Sequence, residues 1–332
     1  MHWVANKRGL VDMKPTTVRA YLARRSSALS LALLGLGCLA FAQLIAARCV
    51  ASTKAYRERG RVAAHKAAFL GISLLVYTIF AVTGLAEAAS LGLTAALRPS
   101  GRLGDFSLAS QRLGTAQLAW QSFDTVVCLV LPGWRSPVAL VHHATCALIA
   151  FVTLRPMLHA FSWYFAGVVE ASTVLLSVLD AFRESEPLRD AFPRAHEAAR
   201  IAFHASFLTV RSLWFVLAPH VASDLLGHAR ANCVWSDGKA LPCSLVDSSA
   251  ADGSGGARRP PQGSMPEKVV AGMEQEALLA LSVLVGFVVL SVIQLAWVLR
   301  IGASVAKRLR ERAATKRAGR AAAGQPRKTK RE

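Results

Sequence analysis

Long apolar segments, separated by short polar ones, dominate the pattern of the chain. An apolar segment of about 18 residues or more is long enough to cross a bilayer as a helix. Seven helical spans are predicted, at about residues 26–47, 67–86, 115–131, 137–154, 160–181, 200–218 and 277–299. The first is longer than the apolar core of a secretory signal, so we expect it to be retained. The pattern predicts an all-α polytopic membrane protein.

The polar stretches between these spans predict the loops and the ends of the chain. A basic segment is expected at residues 1–25 and a basic tail at residues 301–332. Loops are expected at 98–114, at 182–200 and, with a linker-like composition in its middle, at 219–276.

The net charge of +19 is concentrated beside the spans. Residues 1–27 and 48–66 each carry a net charge of +5, and residues 300–332 carry +10. Basic segments next to spans favour the cytosolic side of a membrane, where the lipid headgroups are anionic. No basic motif interleaved with aromatic residues is present, so nucleic-acid binding is not predicted. This preference of basic segments predicts a cytosolic tail and a lumenal loop 219–276. Seven spans then also place residues 1–27 in the lumen, although their positive charge favours the cytosol.

Several spans carry polar or ionisable residues in apolar surroundings. An ionisable group at the centre of a span costs about 2.5 kcal/mol or more, so such groups are expected to face one another or a cavity. Asp124 shares one helical face with Gln117 and Gln121, and four later residues lie in the following spans: His142, His143, Glu170 and Arg211. The glutamines can instead be simple hydrogen-bond partners between helices, and an acid paired with Arg211 can be purely structural.

The adjacent histidines His142 and His143 suggest proton chemistry more than metal binding. Neighbouring residues of a helix point about 100° apart, whereas helical metal pairs use positions i and i+4. One ring of such a pair can accept a proton while the other orients a ligand. We therefore predict no metal site and no cofactor.

Two cysteines, Cys233 and Cys243, flank a polar part of loop 219–276. Disulfides persist in oxidising compartments. If the loop is lumenal, the two residues are a disulfide candidate.

Two short motifs together resemble the TLC domain, which is shared by ceramide synthases, translocon-associated proteins and lipid-regulatory proteins. The motifs are His142-His143-Ala-Thr145 and Glu170-Ala-Ser172-Thr173, and the similarity extends to Asp124 and to the run FHASFLTVR that ends at Arg211. The resemblance covers about residues 60–300. It implies six helices around a lipid-sized cavity, with the first span outside them and a lumenal N-terminus. It also implies the following lipid-binding residues: Asp124, Thr145, Glu170, Ser172, Thr173, His204 and Arg211.

The chain departs from the ceramide synthase pattern after the histidine pair. That branch has an HD…D motif about 27 residues later, whereas this chain reads VVEASTVLLSVLD, with no His-Asp pair. The resemblance is therefore closer to other TLC-domain proteins and implies lipid binding, sensing or homeostasis. The alternative is an acyl-CoA-dependent N- or O-acyltransferase that acts on a sphingoid base or another lipid. His142 or His143 would then be the general base and acyl-CoA the co-substrate.

The last five residues, KTKRE, resemble the retrieval signal of endoplasmic reticulum membrane proteins, with Lys328 and Lys330 at its two lysine positions. The resemblance implies a multi-pass protein of the endoplasmic reticulum membrane with a cytosolic C-terminus. Its expected partners are membrane lipids and the retrieval coat.

Overall fold

The computed structural model of the chain describes residues 15–91, 107–131, 134, 136–155, 158–232 and 267–323, and these ranges contain helices and no strands. The helices are α1 Pro15–Ser52, α2 Lys54–Arg57, α3 Gly60–Leu91, α4 Leu108–Val130, α5 Pro137–Val152, α6 His159–Ser162, a π-helix Trp163–Val168, α7 Glu170–Glu184, α8 Glu186–Ala191, α9 Pro193–Asn232 and α10 Glu267–Ala323. The prediction of an all-α fold is confirmed.

Five stretches of helix are long and apolar enough to cross a membrane: Ser26–Ser52, Gly60–Ser90, His159–Glu184, Pro193–Gly227 and Ala277–Thr315. Two further helices, α4 and α5, complete the bundle. α5 has 16 residues, which at 1.5 Å per residue is about 24 Å, less than the roughly 30 Å of hydrocarbon. α4 has 23 residues, but the polar side chains that it turns inward lower its mean hydropathy. The chain is a multi-pass membrane protein.

Six helices form a ring. Going round it, α3 packs on the π-helix and α7, α7 on α9, α9 on α10, α10 on α5, and α5 on α4. The contact between α4 and α3 is slight, and α1 packs against both of them from outside. The Gln43 amide nitrogen of α1 donates to the His65 carbonyl oxygen at 2.8 Å. α1 therefore covers the seam between α3 and α4.

A close helix crossing in the ring brings Gly84 of α3 against Gly167 of the π-helix. A Cβ atom added at Gly84 would lie 2.5 Å from the Gly167 Cα and 2.6 Å from the Trp163 carbonyl oxygen. Small residues allow this approach of two backbones inside a membrane. The π-helix ends just before Glu170, so the same crossing fixes where that carboxylate enters the bundle.

A buried polar cluster holds the end of the bundle at which α3 finishes and α4 begins. The His159 Nδ1 accepts from the Ser107 backbone N–H at 3.0 Å, so Nε2 carries the proton and donates to the Thr153 carbonyl oxygen at 2.8 Å. The Glu87 carboxylate accepts from the Ser110 hydroxyl at 2.6 Å. These bonds tie the start of the His159–Glu184 span to α3 and α4.

Two of the predicted loops are partly wrong, because many of their residues belong to helices. α4 begins at Leu108, inside the predicted loop 98–114, since Ser107 caps it and its first polar residues find partners within the protein. The amide nitrogen of Gln111, for example, donates to the Leu154 carbonyl oxygen at 3.2 Å. The predicted loop 182–200 is mostly helical as well, in α8 and the first turns of α9.

The predicted loop 219–276 begins too early. α9 runs through Pro219 to Asn232, because Val221, Leu225 and Ala229 follow one another at four-residue spacing and are buried. They belong to the same apolar core as Ala280 and Val283 of α10. A proline usually interrupts a helix, but tertiary packing maintains this one. The disulfide candidates Cys233 and Cys243 and the tail lysines Lys328 and Lys330 lie outside the described residues.

The glycine crossing leads to a stability prediction. Gly84→Ala and Gly167→Ala place a methyl group against backbone atoms that cannot move aside. Overpacking of this kind costs about 2 kcal/mol, which lowers the unfolding temperature by about 5 °C. The measurement is thermal unfolding of the purified protein in detergent.

Gly71→Ala on the same helix is the matched control, because a Cβ atom there meets nothing within 4 Å. We expect its unfolding temperature to be unchanged or slightly higher. Equal behaviour of all three variants would contradict a close crossing at Gly84 and Gly167.

Candidate functional site

The ring encloses a cavity of about 600 Å³. All six ring helices line it, and α1 contributes none of the lining residues among those described. The wall is mainly apolar and aromatic, with polar groups gathered on particular helices. A cavity of this size and character is typical of sites for small apolar ligands, which measure about 300–1,000 Å³.

A buried carboxylate and one histidine of the adjacent pair meet in the wall of the cavity. The His143 Nδ1 lies 3.3 Å from the Asp124 Oδ2 and 2.9 Å from the Gln121 Oε1. The Tyr77 hydroxyl donates to the same Asp124 oxygen at 3.1 Å. Asp124 is 4% exposed, so these donors supply the hydrogen bonds that a carboxyl group removed from water needs.

The two neighbours of the His143 Nδ1 determine how the ring is protonated. Both Asp124 Oδ2 and Gln121 Oε1 are acceptors, so the proton of a neutral His143 lies on Nδ1. Its Nε2 is then an unprotonated acceptor, and His143 lines the cavity. A carboxylate that holds a histidine in one tautomer is the arrangement that orients a general base.

Glutamine side chains extend this polar contact across the bundle. Gln121 donates to the Gln117 Oε1 at 3.1 Å, and Gln117 donates to the Glu170 Oε1 at 3.0 Å. Gln117 also donates to the Ala166 carbonyl oxygen at 2.9 Å. The glutamines therefore act as partners between helices and at the same time connect His143 to Glu170.

His142 has different surroundings from His143. Its ring meets the Trp297 ring edge to face at a centroid distance of 5.2 Å and the His143 ring at the same distance. Its ring nitrogens lie 3.9 and 4.0 Å from the Cys146 sulfur. The His142 ring thus packs between Trp297 of α10 and the His143 ring, whereas His143 contacts the carboxylate of Asp124.

One end of the cavity carries charged residues. Asp180 and Arg183 are paired at 2.8 Å there, and Arg300 of α10 also lines it. Lys66 bridges to Glu184 at 3.6 Å and lies over the Trp134 ring at the same end. We call this the basic end, because the basic stretch 48–66 ends here and the basic part of α10, from Arg300 on, begins here.

The structure brings most of the predicted site residues together. Among the lining residues are the following: Asp124, His142, His143, Glu170, Ser172, Thr173 and Arg211. Thr145 and His204 are not among them. The Thr145 methyl group faces Gly286 of α10, and the His204 ring lies beside Phe203, because both residues fall on helix faces turned away from the cavity.

Among the lining residues that were not expected from the sequence are Tyr77, Gln294 and Trp297. Tyr77 completes the shell around Asp124. Gln294 is an amide in the apolar run SVIQLAW, the same signal that identified Glu170, and it could have been found by that signal. Nothing in the sequence singles out Tyr77 or Trp297 among the other aromatic residues.

Three side chains of the wall, Asp124, Cys128 and His143, bring potential metal-donor atoms within 4.8 Å of one another. The prediction of no metal rested on the adjacent histidines and on the lack of a zinc-type cysteine spacing, and it did not foresee this combination of residues from two helices. The Cys128 sulfur lies 3.6 Å from the Asp124 Oδ1 and donates to it. Their polar atoms are thus already partnered by one another and by Gln121 and Tyr77.

Comparison with protein families supports the motif resemblance. A family model described as TLC domain matches residues 67–302. The chain belongs to the TLC-domain family. This confirms the family predicted from the two motifs, and the matched range includes at least part of every helix of the ring. Neither the comparison with curated proteins nor that with solved structures gives a match.

In this TLC domain, the two motifs come from facing parts of the ring. The histidine motif lies on α5 and the glutamate motif on α7, and the two glutamines of α4 connect them through hydrogen bonds. The two motifs, which are separated in the sequence, thus belong to one continuous network of hydrogen bonds.

Proposed function

We propose that this protein binds a membrane lipid in the cavity of its TLC domain and takes part in lipid sensing or homeostasis. The observation that carries the proposal is the cavity of about 600 Å³ with an apolar wall and a localised polar network. An apolar wall suits an acyl chain, because it replaces the surrounding lipid tails with an equally apolar environment. The hydrogen-bonding groups provide a place for a polar head.

The aromatic part of the wall supports an acyl chain in particular. The Phe165 ring lies 4.7 Å from the Trp214 ring and 4.9 Å from the Phe287 ring, and all three residues line the cavity. This wall offers no charged group. The polar groups lie on other parts of the surface, so the cavity has separate places for a chain and for a head.

Lipid binding is tested by mass spectrometry of lipids that remain with the purified protein. We expect a defined lipid class in the wild type and at least several-fold less of it in Ala166→Phe, because Ala166 lines the cavity and the ring would occupy it. Ala205→Phe on the exposed face of α9 is the matched control and should keep the lipid. Equal lipid content in the two variants would contradict the proposed site.

A second function, acyl transfer, is favoured by the contact between His143 and Asp124. In that reaction the His143 Nε2 would take the proton of an amine or hydroxyl as its nitrogen or oxygen attacks the thioester carbonyl of acyl-CoA. The thiolate of CoA would leave. The missing HD…D motif argues against the ceramide synthase version, so lipid binding remains the main proposal.

Acyl transfer is tested with purified protein, acyl-CoA and a long-chain amine or alcohol. If the wild type is active, His143→Ala should lower the rate about 100-fold or more, since a general base contributes 10²–10⁴-fold. His142→Ala should lower the rate as well, because it removes the ring that packs against His143 and helps to hold it in place. His220→Ala, outside the cavity lining, is the control. A wild type that transfers no acyl group would exclude this second function.

We also propose that the protein resides in the endoplasmic reticulum membrane with its C-terminus in the cytosol. The net charge of +10 in residues 300–332 and the lysines Lys328 and Lys330 support this. The basic stretch that precedes α3 lies at the same end of the bundle as the start of that tail. A cytosolic tail would place the loop after Asn232 in the lumen.

One glycosylation reporter tests both side and compartment. An acceptor engineered into residues 247–256 should be glycosylated, and its glycan should stay sensitive to endoglycosidase H. With Lys328→Ser and Lys330→Ser, the glycan should become resistant as the protein reaches later compartments. Glycosylation of a C-terminal acceptor instead would reverse the proposed orientation.

A further inference from the structure

Arg211 is a buried cation in the cavity wall that lacks an ionic partner. It is 5% exposed and lines the cavity. Its Nε has no hydrogen-bond partner, and none of the ion pairs formed by the described residues includes it. Its guanidinium carbon lies 5.4 Å from the centre of the Phe207 ring on its own helix. A buried unpaired charge is costly, so an anion in the cavity would stabilise it.

Gln294 of α10 is also buried without a partner in the cavity wall, as is the Ser73 hydroxyl of α3. Gln294 is 0% exposed, and neither its amide nitrogen nor its amide oxygen has a partner. Buried unsatisfied groups of this kind cost about 1–3 kcal/mol each. Like Arg211, Gln294 belongs to the cavity lining.

The packing of α9 on α10 puts Arg211 and Gln294 at the same level of the cavity. The Trp214 indole N–H donates to the Ser291 hydroxyl at 3.0 Å. The two helices run antiparallel, since Trp214 also stacks on Phe287, whereas Phe207, earlier in α9, belongs to a cluster with Val298, later in α10. Arg211 precedes Trp214 by three residues, and Gln294 follows Ser291 by three. Both therefore lie one turn from the same contact, in the same direction.

The acids of the wall, in contrast, have partners of their own. Asp124 accepts from Tyr77 and lies beside His143, and Glu170 accepts from Gln117. Glu170 is near enough for its charge to act on Arg211, but it forms no ion pair with it within 4.0 Å. The donors of α9 and α10 thus remain available to a ligand.

We propose that Arg211 and Gln294 form a headgroup site for a lipid whose head is a compact anion, either a carboxylate or a phosphate monoester. The inference rests on the proposed lipid-binding function and adds the chemistry of the head. A guanidinium presents two parallel N–H groups that match the two oxygens of such an anion. The Gln294 amide supplies a further donor, and the chain lies along the aromatic wall formed by Phe165, Trp214 and Phe287.

The test compares ligands with the same chain and different heads. Binding of tritiated palmitate and tritiated hexadecanol is measured on purified full-length protein in detergent. We expect the wild type to bind palmitate at least tenfold more tightly, and tenfold corresponds to about 1.4 kcal/mol. Arg211→Gln should remove this preference and leave hexadecanol binding unchanged, which also shows that the variant is folded.

Two further variants define the site, and a third is the control. Arg211→Lys keeps the positive charge but loses the two parallel N–H groups of the guanidinium, so it should keep only part of the preference for palmitate. Gln294→Leu should reduce that preference several-fold. These two variants carry the test if Arg211→Gln does not fold. Arg194→Gln, an exposed arginine on the same helix, is the matched control and should bind as the wild type does.

The outcomes separate this inference from the proposed function. Equal affinity of the wild type for palmitate, hexadecyl phosphate and hexadecanol, or a preference for an anion that persists in Arg211→Gln, overturns the anionic headgroup site and leaves lipid binding in place. Absence of binding to both ligands overturns lipid binding itself. Hexadecyl phosphate, measured alongside, shows whether the preferred anion is a phosphate or a carboxylate, and a preference for either one over hexadecanol supports the site.

Discussion

The arrangement of this bundle depends on satisfying two carboxylates that are surrounded by apolar side chains. No water in the hydrocarbon region is available to a polar group, so its partners must come from the protein. Asp124 finds them on α3 and α5, and Glu170 finds one on α4. Most hydrogen bonds in the network therefore join two helices. The bond between Gln121 and Gln117, within α4, connects those on either side of it. The network determines which helices are neighbours around the cavity as well as which groups line it.

The close crossing of α3 on the π-helix makes the same network possible. Without side chains at Gly84 and Gly167, the two backbones approach until the start of α7 lies within reach of α4. π-Helices are uncommon and often lie at functional sites. Here the π-helix comes directly before Glu170, and the Ala166 carbonyl oxygen within it accepts from Gln117.

Much of this arrangement could be predicted from the sequence. Long apolar runs predict spans because their length and composition allow few alternatives, and a single acid inside such a run indicates an inward-facing group. Helix ends were predicted less well. α9 passes Pro219 because Val221 and Leu225 pack against α10, and that packing involves a helix distant in sequence.

The rotation of a helix about its axis is also difficult to read from its sequence. Thr145 belongs to a motif whose histidines line the cavity, yet its methyl group packs on Gly286. Which of several polar residues turns inward depends on the neighbouring helix, and no local pattern encodes that neighbour. Gln294 shares with Glu170 the signal of a polar residue in an apolar run, but a neutral amide gives that signal more weakly than an acid does.

The unpartnered polar groups of the cavity come from different helices. Arg211 and Gln294, on α9 and α10, offer hydrogen-bond donors, and the His143 Nε2 on α5 offers an acceptor. Around the ring, α5 and α9 are separated by α10. A ligand that bonded to both Arg211 and His143 would therefore connect two helices that are not neighbours. Such a ligand would act as a cross-link of the bundle as well as its occupant.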